Sequence, residues 1–442
     1  MKKTLTVSLV LFLLLAATFS AVAGGKGQST PTQGKPYAGI QLNVLDVSYG
    51  PTLGMKEYLG EFEEATGIKV NFEIEEYSAI TTKKEVELSA RSDAYDVIHI
   101  DSTNVARYGN AGWAENLMPR INASPEYQYN DFLPAAAAIF KQDNSVYGIP
   151  VSCETWVNFY RKDVFDELGL TPPRTPEELL AVCEKIKASG KDIYPVSMRG
   201  RQGQGNNVFQ WGFLLYALNG RYYNDGMTAL TLNSPETVAS VKLYAKLVQD
   251  YSPPGAVDAT YTDAWTAFAQ GKAAMFLDTT TAASNFQQQG TSAIIDKWDV
   301  VRIFSALNIK YLPMFSHGIT INAFSRKKDA AWEYVKWYTG REMQRKLGEE
   351  VGFPGTTRLS SRASDLYKSK VGPNRWIEVF NESGNFVRDD YRPLFLPEWT
   401  YIGDTIGVAL QNVFMGADAQ TTFDALQRDM TAFFNQNGYL KK

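Results

Sequence analysis

From Ile40 onward the apolar residues switch repeatedly between a period of two and one of about 3.6, and this alternation restricts the possible folds more than any other feature. Ile40, Leu42 and Val44 are separated by Gln41 and Asn43, the pattern of a strand with one buried face. Met55, Leu59 and Phe62 then share one helical face, with Glu57, Glu61 and Glu64 mainly elsewhere, and Gly67 stops the helix. Ile68, Val70, Phe72 and Ile74 alternate with charged or amide residues as a second strand. A helix through Glu85–Ala90 leads to Tyr95–Ile100, a largely apolar run suited to a strand covered on both faces. Strand, helix, strand, helix, strand in this order builds a mostly parallel α/β sheet. In such sheets ligands bind outside the carboxyl ends of the strands. Those ends are Asp46–Tyr49 and Asp101–Asn104, so Ser48, Tyr49, Asp101, Thr103 and Asn104 are candidate contacts, although Asp101 could instead cap the next helix.

The theme is repeated further on. Val146–Val151 is extended, with a domain crossover expected at 147–151, and runs into Trp156–Tyr160 and a helix over Arg161–Leu168. Pro176 then opens a helix over Glu177–Ala188. A second α/β segment reaches about residue 312 and includes the helices Pro235–Gln249 and Trp265–Gln270 and the strand Ala273–Leu277. The chain is expected to return to the first segment at His317–Asn322, continue in one helix over Ala330–Leu347, and end in helices near Thr405–Val413 and Thr422–Phe434.

Before this pattern begins, Lys2 and Lys3 precede an apolar run over Leu5–Ala17, and Ala21-Val22-Ala23 supplies small residues at a cleavage site. This is the pattern of a secretory signal peptide over residues 1–23, cleaved after Ala23, with a flexible leader over 24–37. The expected location is the periplasm, or the cell surface where there is no outer membrane. Losing the two lysines takes the basic count from 44 to 42 against 48 acidic residues, a net of −6. No basic block points to nucleic acid or anionic lipid. Cys153 and Cys183 have no partners spaced for zinc and read as buried small hydrophobes, or as a disulfide in an oxidising compartment. With two histidines in 442 residues, no metal centre and no cofactor is expected. The P-loop pattern G-x-x-x-x-G-K-S/T is absent, so no nucleotide-driven step is expected of this chain.

Several ordered motifs resemble the bacterial extracellular solute-binding family that includes the maltose- and maltodextrin-binding proteins. They are Phe62–Val70, Tyr147–Val151 with Tyr160–Asp163, Thr175–Leu179, Phe268–Met275, Gly318–Asn322 with Asp329–Tyr334, and Asp418–Phe434. The resemblance implies a two-lobed binding-protein fold of the type II kind, each lobe a mostly parallel sheet flanked by helices and joined by hinge crossovers. It places the N-terminal lobe at 38–148 plus 317–345 and the C-terminal lobe at 149–313 plus 346–442. It also implies a carbohydrate in the cleft, hinge closure, delivery to the permease subunits of an ABC importer, contact with the membrane only through that complex, action as a monomer, and no enzymatic activity. Glu154 falls where the maltodextrin binders have a ligand-contacting glutamate. Where those proteins carry tryptophan after the Met275 strand, this chain has Asp278-Thr-Thr-Thr281. The missing aromatic platform favours a monosaccharide, polyol or short oligosaccharide over a long glucan.

A sugar presents hydroxyls and an apolar ring face, so its site needs carboxylates, amides or guanidinium groups together with aromatic rings. On this chemistry Glu154, Trp156, Trp211, Asp278, His317, Gly318, Arg358 and Trp399 join the candidates, with Tyr401 beside them. Each has a structural alternative: a salt bridge for Glu154, core packing for Trp156 and Trp211, a helix cap for Asp278, a hinge hydrogen bond for His317. Glu154 and Asp278 could mimic the carboxylate pair of a glycoside hydrolase. Tyr222-Tyr223 could mimic the phenolates of a ferric-ion binder. A chemoreceptor-coupled sensor would use the same binding event as a transporter.

Overall fold

The computed structural model describes residues 35–308, 312–371, 376, 378–380, 387, 388 and 396–441. The expected signal peptide, and the leader up to residue 34, lie outside the described residues. Eight strands form the two sheets that matter here: β1 (Gln41–Val47), β2 (Lys69–Glu75), β3 (Val97–Asp101), β4 (Ile149–Glu154), β5 (Trp156–Arg161), β6 (Met275–Thr279), β7 (Trp298–Arg302) and β8 (Phe315–Ile321). The first sheet has the order β2–β1–β3–β8–β4 and the second β6–β5–β7.

Pairing direction follows from how the chain travels between the sheets. β1, β2 and β3 are parallel, as their helical connections require. β8 enters the first sheet from the second and is antiparallel to β3 and β4. β5 leaves the crossing while β6 and β7 return toward it, so both pair antiparallel with β5. Among the described residues, parallel neighbours of the second sheet are the bridges Tyr194 to Ala273 and Ser197 to Phe276.

Each sheet has its own core. Val44, Phe62, Val97, Ile319 and Tyr334 pack in the first lobe. In the second, alternation along β5 sends Trp156 and Tyr160 to one face, with Trp211, Leu214, Tyr244 and Trp399, and Val157 and Phe159 to the other, with Phe276, Phe286 and Trp298. The helix Asn207–Ala217 is buried at every position, so its amphipathic period is lost.

The crossings lie a few residues from where the sequence suggested. Val146, Ile149 and Val151 belong to the first core, and the chain passes over at Thr155, between β4 and β5, not at 147–151. The expected helix 330–347 is two helices, Lys328–Tyr338 and Arg341–Glu349, broken at Gly340, where a Cβ would lie 2.5 Å from the Lys336 carbonyl oxygen. Leu347 and Phe353 still pack in the first core, while Tyr367 and Val371 pack in the second lobe. The division at residue 346 would cut through a helix of the first lobe, and we propose 354–364 as the third passage.

Candidate functional site

The ends of β1 and β4 and the start of β8 face the end of β6 and the loop leading into Asn207–Ala217. Between them is a cavity of about 530 Å³, within the usual range for small-molecule sites. First-lobe lining residues include Ser48, Tyr49, Glu76, Tyr77, Glu154, His317 and Phe353, and second-lobe ones Arg199, Asn206, Phe209, Tyr261, Trp265, Thr279, Thr281 and Gln287.

Glu154 ends β4 at the crossing. Its Oε1 lies 3.4 Å from His317 Nε2, and its Oε2 accepts from the Thr281 hydroxyl of the opposite lobe. Burial pushes the Glu154 carboxyl up, but hydrogen bonds from His317, Thr279 and Thr281 outweigh it and hold the group below the usual carboxylate range. His317 packs between aromatic rings, with centroids 4.7 Å from those of Tyr49 and Phe315. Tyr49, at the start of helix Gly50–Lys56, follows Ser48, whose N–H donates to the Glu75 carbonyl at 2.8 Å.

Across the cleft, Arg199 is gripped by Asp278 through Nε at 2.9 Å and Nη2 at 2.5 Å, and its Nη1 donates to the Gly205 carbonyl at 3.1 Å. Its guanidinium lies 4.7 Å from the Phe209 ring centroid and 4.8 Å from that of Tyr261. The pair is almost fully buried, Asp278 at 0% side-chain exposure and Arg199 at 5%. Burial raises the Asp278 pKa against the pull of Arg199. Asp278 also takes the Thr279 N–H, so it neither caps a helix nor lines the cavity; it fixes the arginine that does.

Among the sequence candidates, Ser48, Tyr49, Glu154 and His317 come together on the cavity wall. The others do not reach it. Asp101 accepts from the Thr103 N–H and hydroxyl while its own N–H donates to Asn104 Oδ1, so Asp101, Thr103 and Asn104 close a buried turn on themselves. Trp156 stacks on Phe213 at 4.8 Å in the second core. Trp211 donates to Ser240 Oγ at 2.9 Å and Trp399 to Gln204 Oε1 at 3.1 Å, both with no exposed surface. Arg358 spends its guanidinium on the carbonyls of Thr339, Tyr127 and Gln128 within the first lobe. Gly318 serves the sheet: a Cβ there would lie 2.5 Å from the Ile149 carbonyl oxygen and 2.7 Å from Phe140. Tyr401 is exposed and lines a separate groove with Arg107 and Asp404.

Arg199, Phe209, Tyr77, Tyr261 and Trp265 went unseen in the sequence. The legible signal for Arg199 was a single cation ending the apolar run Tyr194–Met198, just before the glycine-rich Gly200–Gly205, with an acid of the second lobe, Asp278, left to pair. The loop Asp278–Thr281 has no aromatic residue, but Tyr261 and Trp265, on the helix Tyr261–Ala269, bring ring faces to the cavity. The expectation of a cleft lacking an aromatic platform is therefore corrected. The enzyme-like pairing also dissolves, because Asp278 is turned into its ion pair behind the cavity wall. Tyr222 packs against Trp211 and Trp399 in the core, away from the cleft, which removes the tyrosine pair as an iron site. Among the described residues no cluster of three or more His, Cys, Asp or Glu is placed to hold a metal ion. Cys153 and Cys183 are both free thiols, and no helix of the described residues is long and apolar enough to cross a membrane.

With this geometry in place, comparison with known proteins identifies the group. The family described as bacterial extracellular solute-binding protein matches residues 50–345. A mannitol-binding protein of Pseudomonas aeruginosa is 22% identical over 420 residues, covering 90% of this chain and 94% of that one. An ABC transporter solute-binding protein from Agrobacterium radiobacter K84, solved in complex with ribitol, superimposes with a TM-score of 0.83 at 23% identity, covering 90% of this chain and all of that one. A maltose-bound T. maritima protein gives a TM-score of 0.80 at 18% identity, covering 89% and 100% of the two chains. The likeness in fold is that of two-lobed binding proteins. On a match that runs from the first cleft helix into the second helix after β8, the chain belongs to the bacterial extracellular solute-binding protein family.

Proposed function

We propose that this protein is the exported solute-binding subunit of an ABC importer and that it captures a compact polyhydroxylated solute, an alditol or a monosaccharide ahead of a short oligosaccharide. The observation that carries the reading is the meeting of Glu154 and Arg199, from opposite lobes, on one cavity walled by Tyr49, Tyr77, Phe209, Tyr261 and Phe315. An ionised carboxylate accepts hydroxyl hydrogens, and a guanidinium donates to hydroxyl oxygens. Among the described residues, three of the five Arg199 N–H groups are engaged by Asp278 and Gly205, which leaves two to donate to solute. The charge of Arg199 is already matched by Asp278, so the site suits a neutral ligand better than an anion. Aromatic rings cover the carbon skeleton. That the relatives include a mannitol binder and a ribitol-bound structure supports an alditol.

Because the wall is shared by both lobes, a bound solute would bridge them and favour the closed form by its higher affinity for that state. The closed form, acting as a monomer outside the cytoplasm, would then dock on the permease subunits. A thermal-shift screen of the mature chain against alditols, monosaccharides and maltodextrins tests the reading, since a ligand that binds only the native state raises stability by mass action. A rise with an alditol or monosaccharide is expected. A rise confined to maltodextrins would overturn the choice of ligand.

A further inference from the structure

The chain has two histidines, His99 and His317, 218 positions apart in sequence, and the fold puts them in contact. β3 and β8 pair so that His317 lies opposite Asp101, which sets His99 and His317 diagonally on one face of the sheet. His99 Nε2 is 2.9 Å from His317 Nδ1. On the far side, His99 Nδ1 is 3.1 Å from the Lys84 ammonium, and on the near side His317 Nε2 faces Glu154. Lys84, on the helix Tyr77–Ser89, and His99 are both fully buried and neither lines the cavity. The four side chains form one row from the interior of the first lobe to the cleft.

Elementary donor and acceptor rules give this row a direction. Burial lowers the Lys84 pKa, and Asp101, 3.9 Å away, opposes that; as an ammonium Lys84 has three donors and no acceptor, so His99 Nδ1 accepts from it. The other partner within reach of Nδ1 is Asp101 Oδ2, at 3.9 Å, too far for a hydrogen bond. With Nδ1 accepting, the proton of neutral His99 sits on Nε2 and is donated to His317 Nδ1. The proton of His317 is then on Nε2, the nitrogen that faces Glu154 Oε1 at 3.4 Å. A proton added to His317 would set two N–H groups against each other across the 2.9 Å contact, and one added to His99 would set its Nδ1–H against the Lys84 ammonium. The other charged or titratable groups facing the pair are Asp101, beside Lys84 and His99, Asp46, which feels His317, and the phenols of Tyr49 and Tyr77.

We propose that Lys84 and His99 are positioning residues for solute capture: they fix the tautomer of His317 so that Glu154 meets the solute as an ionised, acceptor-only group. This rests on the reading that the cleft takes a hydroxyl-bearing solute, because such a ligand needs an acceptor whose proton state does not wander. Burial, together with the charge of Lys84, pushes His99 well below the usual imidazole range, in keeping with a ring that stays neutral. Replacing Lys84 removes both the fixed donor and the repelling charge. The proton order along the row is then free to reverse, which leaves His317 Nε2 without a hydrogen to hold Glu154 ionised.

Nitrogen-15 NMR of the histidine rings tests this on the full mature chain without ligand, since two residues give two sets of signals and His99→Gln assigns them. Both rings neutral with the proton on Nε2 between pH 6 and 8 is the expected result. A proton on Nδ1 of either ring, or an imidazolium in that range, overturns the proposal. Lys84→Met supplies the second arm. Solute affinity should be nearly flat from pH 6 to 8 in the native chain, and should fall about tenfold at pH 6 relative to pH 8 in the variant, the worth of one ordered hydrogen bond. A variant with native affinity and a flat profile overturns it. If Lys84→Met does not fold, the native spectrum still decides. If no solute binds at all, the cleft reading fails while the spectrum stands as an independent result.

Discussion

Asp278→Asn is the substitution whose consequences can be worked furthest from the structure. It keeps the shape of the side chain and an oxygen for the Thr279 N–H, but leaves the Arg199 guanidinium, 5% exposed, without its counter-charge. Breaking one half of a buried pair costs about 3–5 kcal/mol, because the other charge stays desolvated. Roughly 400 residues unfolding together at ~2.1 cal/mol/K each lose stability at about 0.8 kcal/mol per degree, so the melting temperature should fall by about 4–6 °C. The double variant Arg199→Met/Asp278→Asn removes both charges, and Gln210 keeps its hydrogen bond to the Leu277 carbonyl. Its stability should return most of the way to native. Its affinity should not, because the donors Arg199 turns to the cavity are gone. A hydrogen bond to a charged group is worth about 1.5–3 kcal/mol, a loss of roughly 10- to 150-fold. Thermal denaturation followed by circular dichroism, with calorimetric titration of the solute, separates the two effects. A double variant that binds as tightly as the native chain would refute a role for Arg199 in binding. A single variant no less stable than the double would refute the burial argument.

Three further outcomes follow from other parts of the molecule. Burial pushes Asp46 up to about 7, against the hydrogen bonds from Val47 and Thr52. The folded chain therefore holds a proton that the unfolded chain releases near pH 4, and this contribution, present at low pH, is lost as pH rises to about 7. Asp46→Asn should consequently raise stability at pH 8 by up to about 4 kcal/mol relative to its effect near pH 4, measured by urea denaturation; an equal effect at both pH values would contradict this. Trp211→Phe and Trp399→Phe should lower stability and leave solute affinity unchanged, since both indoles donate within the second lobe; a selective loss of affinity would put them back in the cleft. Small-angle scattering should show a smaller radius of gyration with solute than without, and no change would remove the closure mechanism.

Legibility in the sequence followed the range of the interactions involved. β1 and β2 announce themselves through alternation, Gly67 ends its helix at φ 80°, and Thr175 and Ser234 cap helices that begin with proline, all local effects. The break at Gly340 was hidden because the apolar period continues through it. Ser48 and Tyr49 were reachable from a strand end, Glu154 from the crossing it follows and the family resemblance, and His317 from its place at the return crossing. Arg199 and Tyr261 were not, because they reach the cleft through non-local pairing, such as the bridge of Ser197 to Phe276 beside β6. The tryptophans misled for a physical reason: a large ring that can cover a sugar can equally fill a core, and Trp156, Trp211 and Trp399 do the latter.

Titration calorimetry of the mature protein, with D-mannitol and ribitol in one series and maltotriose in another, reads the chemistry of the cleft directly. Saturable one-site binding of at least one alditol is expected, weakened by Glu154→Gln and by Arg199→Met, with no binding of maltotriose. Binding of maltotriose alone, or alditol binding that neither substitution alters, would contradict it.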